Sequence, residues 1–578
     1  MAVDQSPMNK LITKHIDIWT SAVKTRSTSG RGSSKKLELY GVKKLRELIL
    51  ELAVRGKLVP QDPNDEPASV LLERIAQEKA QLVKEKKLKK PKKLPNISDE
   101  EKPFDLPNGW SWIRLNEYGE WGSGSTPKRS NSGYYDGGIP WFKSGELKAD
   151  YISESEETIT ELALSETSVR YNNVGDVLVA MYGATIGKTA ILSVRATTNQ
   201  AVCACTPFTG LSNTYLLTLL KAYKARLIGM GAGGAQPNIS REKIINTVIA
   251  LPSTAEQHRI VAKVDELMAL CDLLEQQTES SIEAHQVLVT TLLDTLTNSA
   301  DADELMQNWA RISEHFDTLF VTEESIDQLK QTILQLAVMG KLVPQDPSDE
   351  HASELLKRIA DEKAQLVKDK VYQKTSKLKP KNELISYPKG WVGVQTGQVC
   401  PSIVPNRDRP KSFTGNIPWV TLPAFPQQSL YLDSTKVELA LTETEVQKYS
   451  ARLIPEGSVL MSCVGRFGLT AINTIPVTSN QQVHAFITLK GLLSEYLSMV
   501  IRVEGKVLET VATSTTIAYL NKTNCESIQF GLPPENEQQL IVEKAKELID
   551  LCEQLKVRVK ESQATQHNLT DAIVEQAI

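Results

Sequence analysis

Residues 52–63 read LAVRGKLVPQDP and residues 336–347 read LAVMGKLVPQDP. A chain that carries one unit twice builds two copies of one substructure, so this return limits the fold before composition is considered. Aligned at the separation of the copies (336 − 52 = 284), residues 45–86 and 329–370 are identical at roughly three positions in four. What repeats is a helix end, not a set of acids, bases or ligands. Leu45, Leu48, Ile49 and Leu52 share one face and Gly56 stops the helix; Leu329, Ile333, Leu336 and Gly340 do the same in the second copy. After a Pro-bounded turn, Leu71, Leu72, Ile75 and Leu82 start a charged helix matched by Leu355, Leu356, Ile359 and Leu366. The copies are architectural.

Both copies run into lysine-rich stretches, KEKKLKKPKKLP and KVYQKTSKLKPK. A second repeated unit closes each half: LPSTAEQHRIVAKVDELMALCDLLE from 251 pairs with LPPENEQQLIVEKAKELIDLCEQLK from 532. Ile260, Val264, Leu267, Cys271 and Leu274 alternate at spacings of four and three, as do Ile541, Ala545, Leu548, Cys552 and Leu555. That is a coiled-coil seam, and it needs a partner. The last residues, LTDAIVEQAI at 569–578, align with LKQTILQLAV at 329–338 and stop just before the glycine. The sequence reads as a ring that has been cut, with two pseudo-equivalent halves.

Between the helices lie two dissimilar segments, about 105–250 and 387–531, with short β-branched runs such as GDVLVAMYG, TAILSV, GSVLMSCVG and HAFITL. Their local pattern predicts mixed α/β or mostly β domains. A faint shared outline survives: LPNGWSWIRL with YPKGWVGVQTG, GIPWFKSGEL with GNIPWVTL, and TTNQAVCACTP with TSNQQVHAFITL, in one order. The frame is nearly identical while the domains it carries have diverged, as expected if the frame fixes spacing and the domains read different things.

Composition narrows the class. A chain of 578 residues that is 41% hydrophobic can build three or four domains with true cores. A formal charge of -4 excludes a globally basic nucleic-acid binder, so any such surface is local. Seven cysteines, an odd number without a CxxC pair, argue against a disulfide framework and a zinc ribbon. The histidines, His258, His285 and His484 among them, show no ligand spacing and read as structural; no metal or cofactor is expected on this chain. No apolar run reaches the roughly 18 residues of a membrane span and no signal-peptide core opens the chain, so a soluble cytoplasmic protein is expected.

With the helix frame, the GIPW and NQ signatures and the QPNIS...LP...EQ ending at 236–257, the chain resembles a specificity subunit of a type I restriction-modification system. The resemblance spans almost the whole chain. It implies an α+β fold in which two mixed α/β target-recognition domains, 105–250 and 387–531, alternate with helical conserved regions at 1–104, 251–386 and 532–578. The expected arrangement is a long-helix coiled coil with pseudo-two-fold, circularly permuted symmetry. The family implies a non-catalytic reader of double-stranded DNA that recognises a bipartite asymmetric site, one half-site per domain. It implies two modification (methyltransferase) subunits as partners and, through them, restriction (translocase and nuclease) subunits. S-adenosylmethionine, ATP and Mg belong to those partners. A helix from near 257 to 296 is expected to extend about 60 Å, more than one turn of DNA. Extra amphipathic helices carry Ile12, Ile16, Trp19 and Val23, and Leu305, Trp309, Ile312 and Phe316; they suit docking of a partner or packing within the chain.

Candidate DNA contacts follow from loop composition. In SGSTPKRSNSGYY, Thr126, Lys128, Arg129 and Asn131 suit phosphate and base-edge contact, against an ordinary polar loop. In VPNRDRPKSF, Arg407, Arg409 and Lys411 are held between prolines. Gln236 and Asn238, with Thr515, Thr516 and Tyr519 at the corresponding place, suit the DNA backbone or a buried turn. Asn199 and Gln200 recur as Asn480 and Gln481, which favours a structural hydrogen bond over the reading of two different half-sites. GATIGKTA at 183–190 has three residues where a P-loop needs four, and its counterpart VGRFGLTA lacks the lysine, so both read as hairpin turns with Lys188 and Arg466 as backbone contacts. The lysine runs suit a phosphate grip, although a solvated linker is favoured. The competing class is a coiled-coil assembly scaffold with protein- or glycan-binding β domains, which predicts no sequence-selective binding of duplex DNA. An enzyme is the weakest reading, since no methyltransferase tetrapeptide is found.

Overall fold

The computed structural model describes residues 7–27, 35–86, 94–231, 237–382, 385–404, 409–426, 429–511 and 518–578. The chain divides into two compact units, Met1–Ser281 with Gln563–Ile578, and Ile282–Ser562. The repeated parts recur in both, but the helical segment that opens the second unit is supplied to the first by the last residues of the chain.

In the first unit, helix Tyr40–Val54 buries Leu45, Leu48, Ile49 and Leu52, the stripe that the sequence predicts. It ends where Gly56 turns into the left-handed region at φ +68°, and the Lys57 amide donates back to the Leu52 carbonyl over 2.9 Å. In the second unit, helix Glu323–Val338 buries Leu329, Ile333 and Leu336, Gly340 turns at φ +70°, and Lys341 donates to Leu336 over 2.9 Å. A second reason for glycine lies across the turn. A Cβ on Gly56 would stand 2.5 Å from Pro107 and 2.9 Å from Trp110; on Gly340 it would stand 2.6 Å from Pro388 and 2.9 Å from Trp391. The repeated helix end is thus the seat for the first residues of the inserted domain.

Two long helices, Thr254–Asn298 and Glu535–Ala577, carry the alternating seams. The first, 45 residues long, exceeds the expected span. The first seam is buried throughout; in the second unit Ile541, Ala545 and Cys552 share one buried core with Leu329, Ile333 and Leu336, and Leu548 and Leu555 pack against it half-buried. The seam's partner there is the unit's own repeat helix. Lys556 bonds Asp327 over 2.8 Å and Lys330 pairs with Glu553. In the first unit Arg46, which corresponds to Lys330, pairs with Asp272 over 2.6 Å and Glu275 over 2.7 Å.

The cut ring closes within the first unit. The Tyr40 hydroxyl donates to Asp571 over 2.8 Å, His567 lies 2.9 Å from the Val23 carbonyl, and Lys57 donates to the Ile578 carbonyl. The second unit makes the matching contacts on continuous chain: His285 lies 3.1 Å from the Thr318 carbonyl, and Lys341 donates to the Thr297 carbonyl over 2.8 Å.

The extra amphipathic helices pack within their own units. Met8, Ile12 and Trp19 are buried, and the Trp19 backbone seats so closely on Gly41 that a Cβ there would meet its carbonyl at 2.3 Å. Ile312 is buried, with Leu305, Trp309 and Phe316 packed against the second unit's core. The expected first face is only partly covered: the helix breaks at His15 into Pro7–Lys14 and Ile16–Ser21, which leaves Ile16 exposed and Val23 half-buried. The second lysine-rich stretch is not a free linker either: Ser376, Lys379 and Asn382 donate backbone amides to Glu526, Ser527 and Gln529 over 3.0, 3.0 and 2.7 Å. Residues 87–93 of the first stretch lie outside the described residues.

Each inserted domain is mixed α/β. In the first, a five-stranded sheet has the order Gly119–Ser123, Val202–Pro207, Val177–Ala180, Thr189–Leu192, Tyr151–Ile152. A three-stranded sheet sets Tyr135–Phe142 between Thr197–Thr198 and Thr158–Ile159. The second domain repeats this with four strands, Ser402–Ile403, Val483–Phe486, Val459–Ser462 and Thr470–Ile472, and with Ile417–Val420 between Ala440–Leu441 and Thr478–Ser479. The shared Trp of the IPW signature is core in both, Trp141 at 1% and Trp419 at 2% exposure. Each domain's first strand pairs with its last, Ser111–Arg114 with Val248–Leu251 and Val392–Gln395 with Gln529–Leu532. Chain therefore enters and leaves each domain at one place, beside the start of a long helix.

Candidate nucleic-acid interface

Pairing register brings distant loops to one end of each larger sheet. In the first domain Ser123 lies opposite Cys203, Val202 opposite Ala180, and Val179 opposite Thr189. The loops following residue 123, preceding 202 and joining 180 to 189 therefore emerge together. Hydrogen bonds tie them: Ser125 donates to the Thr198 carbonyl over 3.0 Å, Thr126 donates to the Gln200 side chain, and Met181 donates to Ala201 over 2.8 Å. Asn238 joins by bridging to Tyr182. In the second domain, Ser402 pairs with Phe486, Ser462 with Val483, and Met461 with Thr470. The same sheet end gathers the loop carrying Arg409 and Lys411, the turn carrying Arg466, and Tyr519, which bridges to Val464.

Lys128, Arg129, Asn131, Asn238, Arg409, Lys411, Arg466 and Tyr519 are exposed, and Thr126 is half-buried. Gln236, Arg407, Thr515 and Thr516 lie outside the described residues. Arg129 is also committed within the protein. Its guanidinium pairs with Glu157 and stacks over Tyr135 at 4.7 Å and Trp141 at 5.0 Å. Hydrogen bonds from Arg129 and then Lys143 hold the Glu157 carboxyl below the usual carboxylate range. Asn131 accepts from the Gly133 amide over 3.1 Å, an Asx turn that shapes the same loop. Lys188 is half-buried at the foot of the hairpin and lines a groove with Lys221, Lys224, Glu51 and Glu275 against the helices of its own unit. It does not join the hydrogen-bonded set at the sheet end.

The hairpin reading of GATIGKTA holds: strands Val177–Ala180 and Thr189–Leu192 are antiparallel partners across that turn, as Val459–Ser462 and Thr470–Ile472 are in the second domain. Asn199 and Asn480 make the same structural bond. Each side-chain carbonyl accepts a backbone amide two residues on, from Ala201 and Gln482, over 3.1 Å.

Sequence reasoning missed two positioning elements. Glu445 anchors the second domain's loop: Ser412 donates to it over 2.6 Å and Thr414 over 3.0 Å, while it accepts the Thr442 amide over 2.9 Å. Those bonds hold its carboxyl down to about 2. The second is a lock at the base. Trp110 donates to Glu256 over 2.8 Å, and Trp391 donates to Glu537 over the same distance. Burial raises both carboxyls despite these bonds. Gln257 and Gln538, each fully buried, accept the Ser212 and Leu493 amides over 3.0 Å. The LP...EQ signature is thus the joint between domain and long helix. Its recurrence 281 residues on (391 − 110, 537 − 256) was the available signal.

A family model for the type I restriction modification DNA specificity domain matches residues 107–284 and 388–561. The chain is 39% identical over 596 residues to the EcoAI type I restriction enzyme specificity subunit of Escherichia coli, covering 99% of this chain and 100% of that one. It is 38% identical to the EcoEI specificity subunit of the same organism, over 99% and 100%. A structure from a study of complex assembly and conformational transition in the type I system aligns at TM-score 0.49 and 18% identity, over 82% of this chain and 99% of that one. Among the described residues no helix is long and apolar enough to cross a membrane.

Proposed function

The chain belongs to the specificity subunits of type I restriction-modification systems, and from that membership we propose that its two sheet-end loop clusters read the two halves of one split, asymmetric DNA site. The observation that carries this reading is the pairing of like and unlike. The joint, the sheet ends and the amide bonds of Asn199 and Asn480 are the same in both domains, whereas the exposed residues differ: Lys128 and Asn131, beside the half-buried Thr126, in one, and Arg409, Lys411, Arg466 and Tyr519 in the other. Equal scaffolds with unequal tips suit two different half-sites. Each bidentate base contact discriminates by only about 1 to 3 kcal/mol, so a useful site needs both domains.

Specificity subunits are non-catalytic, and catalysis resides in other subunits of the complex. In our reading two modification subunits bind the helical regions at 1–104, 251–386 and 532–578, and restriction subunits join through them. S-adenosylmethionine, ATP and Mg act on those partners. The recognition domains are 105–250 and 387–531, in keeping with the strand pairs Ser111–Arg114 with Val248–Leu251 and Val392–Gln395 with Gln529–Leu532 that close each.

The test is protection of duplex DNA by the full chain assembled with its modification subunits. A split footprint that resists competition by unrelated duplex is expected. Binding that any duplex competes away equally well contradicts the proposal and returns the scaffold reading.

A further inference from the structure

The second recognition domain holds a side-chain cluster that reading DNA does not require. Cys463, at the end of strand Val459–Ser462, His484 on strand Val483–Phe486, and Cys525 on helix Lys522–Glu526 bring their ligand atoms within 4.8 Å of one another. They are 6%, 2% and 0% exposed. His484 Nε2 is buried with no hydrogen-bond partner. A buried nitrogen left unpaired carries a desolvation cost that a bound ligand would offset.

The first domain shows how this place packs when it is apolar. Met181 donates to Ala201 and accepts from Ile239, as Cys463 donates to Gln482 and accepts from Leu520. Cys203 lies opposite Val179 as His484 lies opposite Met461, and Ile244 donates to Ser240 as Cys525 donates to Asn521. The counterparts of Cys463, His484 and Cys525 are therefore Met181, Cys203 and Ile244, all buried. One domain fills the position with an apolar trio; the other fills it with three soft-metal ligands.

We propose that Cys463, His484 and Cys525 bind a zinc ion that staples the recognition surface of the second domain. The Cys463 and Cys525 sulfurs stand 3.9 Å apart. Two thiolates at about 2.3 Å from a tetrahedral zinc stand about 3.8 Å from each other, whereas a disulfide needs about 2.05 Å. Binding releases the two thiol protons to solvent, and two thiolates with one divalent cation make a neutral unit, the form an apolar core tolerates. Three protein ligands leave the fourth tetrahedral position to a water or other small ligand. The staple would join three elements directly behind the candidate contacts. Arg466 lies three residues beyond Cys463, and Leu520, next to Tyr519, donates to the Cys463 carbonyl over 2.9 Å.

This staple's role in recognition rests on the proposed function, but the metal itself is measured independently of DNA. The full chain, purified without added metal and passed through chelator, is assayed for zinc and for thiols after unfolding. One zinc per chain is expected, released on unfolding, with cobalt substitution giving a thiolate-to-cobalt charge-transfer band. Cys525→Ser and His484→Phe should abolish both signals, while Cys203→Ser in the other domain should leave them. A wild-type chain that neither contains zinc nor takes it up when offered overturns the proposal, whatever the variants do. So does a Cys463–Cys525 disulfide that leaves only five of the seven thiols reactive.

Discussion

Trp110 donates its indole N–H to Glu256 over 2.8 Å, joining the entry of the first recognition domain to the opening turn of a long helix. Trp391 and Glu537 repeat the bond in the second unit. In each case the ring also packs on the glycine that ends a repeat helix, so three segments far apart in sequence meet at one indole. Removing the donor leaves a buried carboxyl with one partner fewer. Trp110→Phe and Trp391→Phe should each destabilise the chain by about 1 to 3 kcal/mol in denaturant unfolding, and the double variant should lose close to the sum, since the two sites share no partner.

The glycine under that ring is equally constrained. Gly56→Ala places a methyl 2.5 Å from Pro107 at a φ of +68°, and Gly340→Ala places one 2.6 Å from Pro388 at a φ of +70°. The backbone term alone is about 1 to 2 kcal/mol, and displacement of the indole adds to it. Thermal unfolding should therefore show a larger loss than for Gly138→Ala, which has positive φ but no atom within 4 Å.

The loop that carries Arg409 and Lys411 depends on an ionised Glu445. Its carboxyl is depressed from 4.5 to about 2 by bonds from Ser412, the Thr442 amide and Thr414. A depressed carboxyl contributes stability that is fully present above its unfolded value and is lost as pH falls through the folded one. The stability difference between wild type and Glu445→Gln should thus be constant above about pH 5 and shrink as pH falls from 4.5 toward 2. A difference that persists unchanged to pH 2 would assign the effect to shape instead of charge.

The basic residues at the second sheet end are expected to act on phosphates. Replacing Arg409, Lys411 and Arg466 by alanine should weaken binding across all sequences and flatten the dependence of log affinity on log salt by about 0.9 for each phosphate no longer neutralised. Fluorescence anisotropy of the assembled modification complex over a salt series measures this. An unchanged slope with altered sequence preference would mark them as base readers.

The frame was legible because it is written twice: Gly56, Gly340 and the two seams stand at the same offsets, and periodicity alone places them on helices. What covers the seam was not, since a four-and-three spacing is satisfied by any apolar partner and the repeat helix supplies it. The state of each polar tip was hidden for another reason. Arg129 and Glu157 are 28 residues apart, and only the register of a three-stranded sheet sets one beside the other. Likewise Cys463, His484 and Cys525 show no ligand spacing, because two strands and a helix, not a loop, bring them together. His484 therefore passed for an ordinary core histidine.

In the proposed function each recognition domain reads its own half of the site while the repeated frame stays indifferent to sequence. Mapping methylated bases across the genome of cells that carry this chain and its partners tests it, before and after residues 105–250 are exchanged for those of another family member. One split asymmetric motif is expected, of which the exchange rewrites one half and leaves the other half unchanged. A motif that changes in both halves, or an unsplit motif, would contradict it.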